Sequence, residues 1–184
     1  MKSRFANKSI DYDGSQLCSH FSYENYGLHG DSIVSFIGAC DVNEHMVDLE
    51  DKLKSEFIHS DLMLHFIIEH FDDDLEKAFL RKRILISIIL EEINKLTKKR
   101  GLIRNNNGIY LNDKKLTVAI AAKSPVSTLI HAGINISSKN TPVKTIGLED
   151  LGVNAKILSK EVMKRYCEEI GSVRLSRSKV KGVK

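Results

Sequence analysis

Between Asp61 and Ser137 the apolar pattern passes from a strand period to a helix period and back to strands. Asp61 to Phe71 (DLMLHFIIEHF) is a near-continuous apolar run that predicts a buried strand. Asp72-Asp73-Asp74 follows, placing anions where the free N–H groups of a helix start favour them. A helical stripe then carries Leu75, Phe79, Leu85, Ile89, Ile93 and Leu96, ending before Gly101. Beyond Gly101 the period is that of strands. Leu102 to Tyr110 reads as two short strands about the turn signal Asn106-Asn107-Gly108, and Lys114 to Ala122 and Thr128 to Ser137 as two longer ones. Strands that follow strands build antiparallel sheets. The pattern therefore predicts an α+β fold with a mixed, mostly antiparallel sheet and helices mainly on one face.

The flanks add shorter elements. Ser9 to Asp13 predicts a strand stopped at Asp13-Gly14, and Ser15 to Tyr26 a helix with Leu17 and Phe21 inward and Gly27 as its stop. Ser32 to Ile37 predicts a strand closed by Gly38, while Val47 to Lys54 is ambiguous. Ser159 to Ile170 is the last helix, with Ser159 as cap and Gly171 as stop. The 184 residues form the length of one domain, 1–184, which buries roughly two-thirds of its unfolded surface.

Charge and cysteine usage bound the partners. The net charge of +4 is too small to imply obligate nucleic-acid binding. Lys95, Lys98, Lys99 and Arg100 suit the carbonyl end of a helix. Ser172 to Lys184, with Arg174, Arg177, Lys179, Lys181 and Lys184 and no acid, predicts a frayed basic tail that would meet phosphates if it meets anything. Cys18, Cys40 and Cys167 are odd in number and far apart, which fits reduced thiols in a cytoplasmic protein. No run of about eighteen uncharged apolar residues exists, and the start lacks the apolar core of a secretory signal, so no membrane partner is expected.

The chemistry concentrates in two strands. On the first, alternation puts Leu116, Val118 and Ile120 on a core face and Lys115, Thr117, Ala119 and Ala121 on the other. On the second, Ile130, Ala132, Ile134 and Ile136 oppose Leu129, His131, Gly133 and Asn135. A face of small residues with one cation, one imidazole, one amide and a glycine reads as a pocket wall, the alternative being a solvated sheet face. Lys115 would neutralise a carboxylate or an oxyanion, and His131 would orient a ligand or move a proton. Asn135 would fix an amide or ribose, with Gly133 as part of the floor and Thr117 beside it. Asp13-Gly14-Ser15-Gln16 joins a turn to a helix start that either caps itself or holds an anion.

Other motifs fail on spacing. His65, Glu69 and His70 do not match a zinc signature, and positions five apart on a strand face opposite sides. No metal site is expected. Arg81 and Arg83 read as surface charges of the long helix. No Walker loop or dinucleotide fingerprint occurs, and the sequence identifies no cofactor.

Gly108 to Ile136 (GIYLNDKKLTVAIAAKSPVSTLIHAGINI) resembles the central motif of lipoyl(octanoyl) transferases and of lipoate and biotin protein ligases. Thr141 to Val153 (TPVKTIGLEDLGV) resembles the segment that follows in the octanoyltransferases. The resemblance places the family's motif lysine on Lys115 and its His-Gly…Asn pattern on His131, Gly133 and Asn135, with an inserted Ala132. Two departures stand out. Ser137 to Thr141 (SSKNT) lacks the octanoyltransferase cysteine, and Gly38-Ala39-Cys40-Asp41 lacks the arginine and repeated glycine of the ligases' ATP loop. YDGSQL, GDSIVSF, MVDLED, SPVSTLIHAGIN and PVKTIGLEDLG resemble an uncharacterised archaeal family, domain of unknown function 366.

The resemblance implies the biotin/lipoate ligase-like, class II synthetase-like fold. It also implies a small carboxylate or acyl ligand, transferred to a carrier protein or RNA without a cysteine nucleophile, with a homodimer as an allowed assembly. The competing expectation is a non-catalytic module binding a nucleotide, a coenzyme or tRNA, motivated by the two departures and the basic tail.

Overall fold

The structure is a computed structural model that describes residues 1–43, 45–54, 57–105 and 108–183. Asn106 and Asn107, the predicted turn, and Lys184 of the basic tail lie outside the described residues. The strands are β1 (Lys2–Phe5), β2 (Ser32–Val42), β3 (Ile58–His70), β4 (Leu102–Asn105), β5 (Gly108–Leu111), β6 (Lys114–Lys115), β7 (Thr117–Lys123) and β8 (Thr128–Asn135). The helices are α1 (Phe21–Tyr26), α2 (Leu49–Leu53), α3 (Leu75–Leu96), α4 (Leu148–Leu151) and α5 (Ala155–Ser178).

The main sheet runs β1-β2-β3-β8-β7, and β4-β5-β6 form a second, smaller sheet. Every pairing is antiparallel except the parallel β1–β2 edge. One face meets the helices. There Ile33, Leu64, Phe66, Ile68, Ile130, Ala132 and Ile134 pack with Leu85, Ile89 and Ile93 of α3 and Leu158, Val162 and Tyr166 of α5. The opposite face carries a second apolar cluster of Tyr12, Phe21, Val34, Phe36, Cys40, Met63 and Ile67. Both faces of β3 and β8 are covered, which explains why their sequences are apolar at nearly every position.

Several boundaries move for physical reasons. β1, at a polar sheet edge, has no apolar alternation to announce it. Ser9 to Asp13 is not a strand; Ile10 and Tyr12 instead donate their N–H groups to the Ile37 and Ala39 carbonyls along β2. Gly38 does not end β2. A Cβ there would lie 1.9 Å from the Ile10 carbonyl oxygen, so the glycine admits this crossing chain at a bulge between Gly38 and Cys40. Only Phe21–Tyr26 of the predicted first helix is helical, with Gly27 as its left-handed stop.

The last helix is longer at both ends than Ser159 to Ile170. Asn154 is its cap, accepting from the Lys156 and Ile157 N–H groups, and Ser159 is buried inside it. The helix passes through Gly171 to Ser178, so the first half of the basic tail is helical rather than frayed. On α3, Asp74 is the cap, and the buried stripe is Ala78, Lys82, Leu85 and Ile89, with Leu75, Phe79 and Leu96 at its exposed margins.

Candidate functional site

A cavity of about 430 Å³ lies beside the β7 edge of the main sheet. That is within the range of pockets that hold small ligands. Its walls include Lys115, Val118, Ile120, His131 and Asn135 from the β6–β7–β8 side and Tyr12, Cys40 and Met63 from the middle of the sheet. The segment from His45 to Asp51 and Phe79 and Lys82 of α3 complete it.

Lys115 and Val118 share the cavity although they are an odd number of positions apart. The strand breaks between them. Lys115 pairs with Tyr110 of β5 and exchanges backbone hydrogen bonds with Lys144 and Ile146, whereas β7 pairs with β8 from Thr117 onward. Leu116, at the break, is fully buried in the helix-side core. The parity of the strand flips there. Val118 and Ile120 therefore line the cavity and Ala121 packs into the helix-side core, the reverse of the faces predicted from unbroken alternation, while Ala119 packs against that core and also borders the cavity.

Thr117 is accordingly not a ligand residue. It is buried, and its Oγ1 accepts the Ile109 N–H at 2.9 Å, tying the small sheet to the large one. Gly133 is not an open floor either. A Cβ there would lie 2.7 Å from Met63 Cε and 3.2 Å from Val118 Cγ2, so those side chains form the floor above it. Asp13, Ser15 and Gln16 do not line the cavity. Asp13 Oδ1 accepts from the Ser15 N–H at 2.9 Å and the Ser15 hydroxyl at 2.6 Å, and Gln16 Oε1 accepts the Asp13 N–H at 3.2 Å. This turn closes on itself, and the helix begins only at Phe21.

Asn135 is buried, and its Nδ2 donates to the Lys115 carbonyl at 3.4 Å, bracing the backbone that presents the ammonium. His131 is 4% exposed and stacks on the Tyr12 ring, with centroids 3.8 Å apart and planes 14° apart. Its Nε2 lies 3.1 Å from His65 Nδ1, and His65 Nε2 lies 3.3 Å from the Gly38 carbonyl oxygen. A carbonyl only accepts, so His65 carries its proton on Nε2 and offers Nδ1 as acceptor. His131 must then donate from Nε2, leaving Nδ1 as its basic nitrogen. Burial pushes His65 down to about 4, and burial reinforced by His65 holds His131 well below the usual imidazole range. The pair is neutral near pH 7.

Two wall residues, Tyr12 and Lys82, and His65 behind the wall escape a reading of the sequence alone. Tyr12 reaches the cavity, and His65 its place behind His131, through non-local strand contacts that leave no local trace. Lys82 leaves one: a cation at the spacing of the apolar stripe of α3. The neighbouring arginines do not line the cavity. Arg81 pairs with Asp72 at 2.8 Å, and Arg83 is exposed. Cys40 also lines the cavity, with burial and then Asp41 pushing its thiol up to about 12, so no thiolate is present to attack an acyl group. Among the described residues no three histidine, cysteine or carboxylate side chains are grouped to hold a metal. No helix among them is long and apolar enough to cross a membrane.

The family model described as Domain of unknown function (DUF366) matches residues 1–181. An uncharacterized protein of Methanocaldococcus jannaschii is 37% identical over 177 residues, covering 92% of this chain and 79% of the relative. A solved protein of unknown function from Pyrococcus horikoshi is 37% identical with a TM-score of 0.91, over 100% of this chain and 99% of that one. A biotin protein ligase variant from Aquifex aeolicus, in complex with biotin, superposes with a TM-score of 0.61 at 15% identity, over 93% and 70% of the two chains. At that identity the likeness is one of fold, which is the fold of the biotin and lipoate protein ligases.

Proposed function

The chain belongs to the family described as Domain of unknown function (DUF366), and from that premise we propose that it binds a small carboxylate or acyl group in the Lys115 cavity and passes it to a carrier protein or RNA. The observation that carries the reading is the convergence of Lys115, Asn135 and neutral His131 on one enclosed wall. An ammonium at the cavity edge supplies the countercharge for a carboxylate, or for the oxyanion that develops when an acyl carbonyl is attacked. Val118, Ile120 and Met63 give an apolar chain a surface to lie against. His131 Nδ1 has its lone pair available to accept a proton from an attacking hydroxyl or amine. A ligase of the same fold was solved with biotin, itself a carboxylate, and this supports the ligand class.

Isothermal titration with octanoate, lipoate, biotin, ATP and tRNA, each run separately, tests the proposal. A carboxylate should bind wild type and lose at least tenfold in Lys115→Ala, while an exposed control such as Lys156→Ala leaves binding unchanged. Binding of tRNA or ATP with no carboxylate binding would replace this reading with that of a nucleotide or tRNA module.

A further inference from the structure

Lys82 is the one buried lysine among the described residues, 4% exposed on the inward stripe of α3. Its ammonium lies 4.7 Å from the centroid of the Phe79 ring, and the side chain lines the same cavity as Lys115. The described ion pairs include no carboxylate within 4 Å of it. Asp48 acts on Lys82 electrostatically, but its Oδ1 is engaged as the cap of α2, accepting from the Glu50 and Asp51 N–H groups, and Glu50 and Asp51 themselves line the cavity as well. A buried ammonium without a counterion is costly, and such groups are ordinarily paired.

The placement of Lys82 follows from anchors at the two ends of α3. Asp73, beside its first turn, pairs with Lys123 at the end of β7 at 3.8 Å. The other end packs toward β4, next to the start of β7. α3 therefore runs against the direction of β7. Lys82 sits about 12 Å along the helix from the Asp74 cap, and it lines the cavity together with Ala119 and Ile120. Val118 and Ile120 form the wall between the two cations.

We infer that the ligand of this cavity carries two anionic groups joined by an apolar spacer, one group held at Lys115 and the second at Lys82. The inference rests on the carboxylate reading above and extends it to a substrate class: long-chain dicarboxylates, or carboxylates bearing a terminal phosphate or phosphonate. Lys82 is the specificity determinant. It separates a doubly charged chain from a simple fatty acid of the same length. Burial, more than the nearby Arg83, lowers the affinity of the empty-site amine for its proton, and an arriving anion reverses that tendency.

Titration calorimetry on the full chain with octanoate, octanedioate and a terminally phosphonated octanoate tests this. One or both doubly anionic probes should bind at least tenfold more tightly than octanoate. Which of the two gains more identifies the second group as carboxylate or phosphoryl. Lys82→Met should lower the affinity of the doubly anionic probes at least tenfold more than that of octanoate, Lys82→Arg should retain most of the gain, and Lys115→Ala should weaken all three. Melting of each variant without ligand confirms that it is folded, and Met fills the apolar surroundings of Lys82 if the ammonium is dispensable. Equal affinity of all three probes, with Lys115 still required, would overturn the second anchor and leave the first reading standing. Absence of binding by any probe would overturn both.

Discussion

His131 Nε2 and His65 Nδ1 meet at 3.1 Å across two antiparallel strands, two positions out of register, because His65 lies opposite Gly133 and His131 opposite Ile67. The pair fixes the tautomer of His131 without any carboxylate, so the imidazole is held as a neutral acceptor rather than as a cation.

That arrangement makes folding stability sensitive to mild acid. The unfolded His65 binds a proton near pH 6.5, whereas the folded one does so only near 4. Its contribution is complete above about pH 6.5 and is lost as pH falls toward 4, because only the unfolded state gains the proton in that window. The loss should reach roughly 3 kcal/mol. Urea melts across that window should show the decline in wild type, with a visibly shallower slope in His65→Gln.

A second acid-sensitive contact should act at lower pH. Asp31 accepts from His70 Nδ1 at 3.0 Å and from the Phe71 N–H at 3.0 Å, and it also pairs with Arg174 of α5. Burial alone would raise the carboxyl, but the hydrogen bonds from His70 and Phe71 and the charge of Arg174 hold it well below the usual carboxylate range. Its stabilisation is present above about pH 4 and fades as pH falls further. His70 Nε2 in turn accepts the Tyr166 hydroxyl at 3.0 Å. Tyr166→Phe should cost about 2 kcal/mol, because a buried ring nitrogen loses its donor. Hydrogen exchange should report the loosening in α5.

Thr117 and Lys115 should separate cleanly in experiment. Thr117→Val removes the acceptor of the buried Ile109 N–H and should lower stability by about 1–2 kcal/mol. Ligand affinity of the folded variant should be unchanged. A large loss of affinity in Thr117→Val, measured below its melting temperature, would return the residue to the site.

Cys40 should prove dispensable for chemistry despite its position in the wall. Cys40→Ala should keep carboxylate binding, and incubation of wild type with an octanoyl thioester should leave no acyl adduct on the intact protein. A trapped acyl-Cys40 adduct would refute this.

Gly38→Ala should fail to fold, or fold only at low temperature. The added methyl would meet the Ile10 carbonyl, which belongs to a rigid backbone and cannot swing aside. Circular dichroism and solubility of the expressed variant decide the matter.

The legible part of this protein is the part governed by local period. The strands β3 and β8, the α3 helix and its Asp74 cap all follow from the spacing of apolar residues, and so does the shared face of His131 and Asn135. Lys115 was placed by the same rule, but the rule then failed one residue later. Leu116 breaks the strand, and the residues after it exchange faces, which removes Thr117 from the wall and inserts Val118 and Ile120. Nothing local signals such a break. Tyr12, His65 and Lys82 come from a crossing loop, a neighbouring strand and a helix beyond the sheet edge. Their convergence is a property of long-range pairing that no window of sequence contains. The self-contained turn at Asp13 was misread for a related reason: its capping residues are present, but the helix they announce starts at Phe21.

The break at Leu116 has a consequence for how this wall can change over time. Because the face of each residue after it is counted from a fixed buried leucine, point substitutions at Val118 or Ile120 reshape the cavity without disturbing Lys115. A single-residue insertion or deletion between Lys115 and Val118 would exchange wall and core together. The two halves of the site are thus free to drift in chemistry but locked in length. Variation should enter this region as substitution and almost never as an indel.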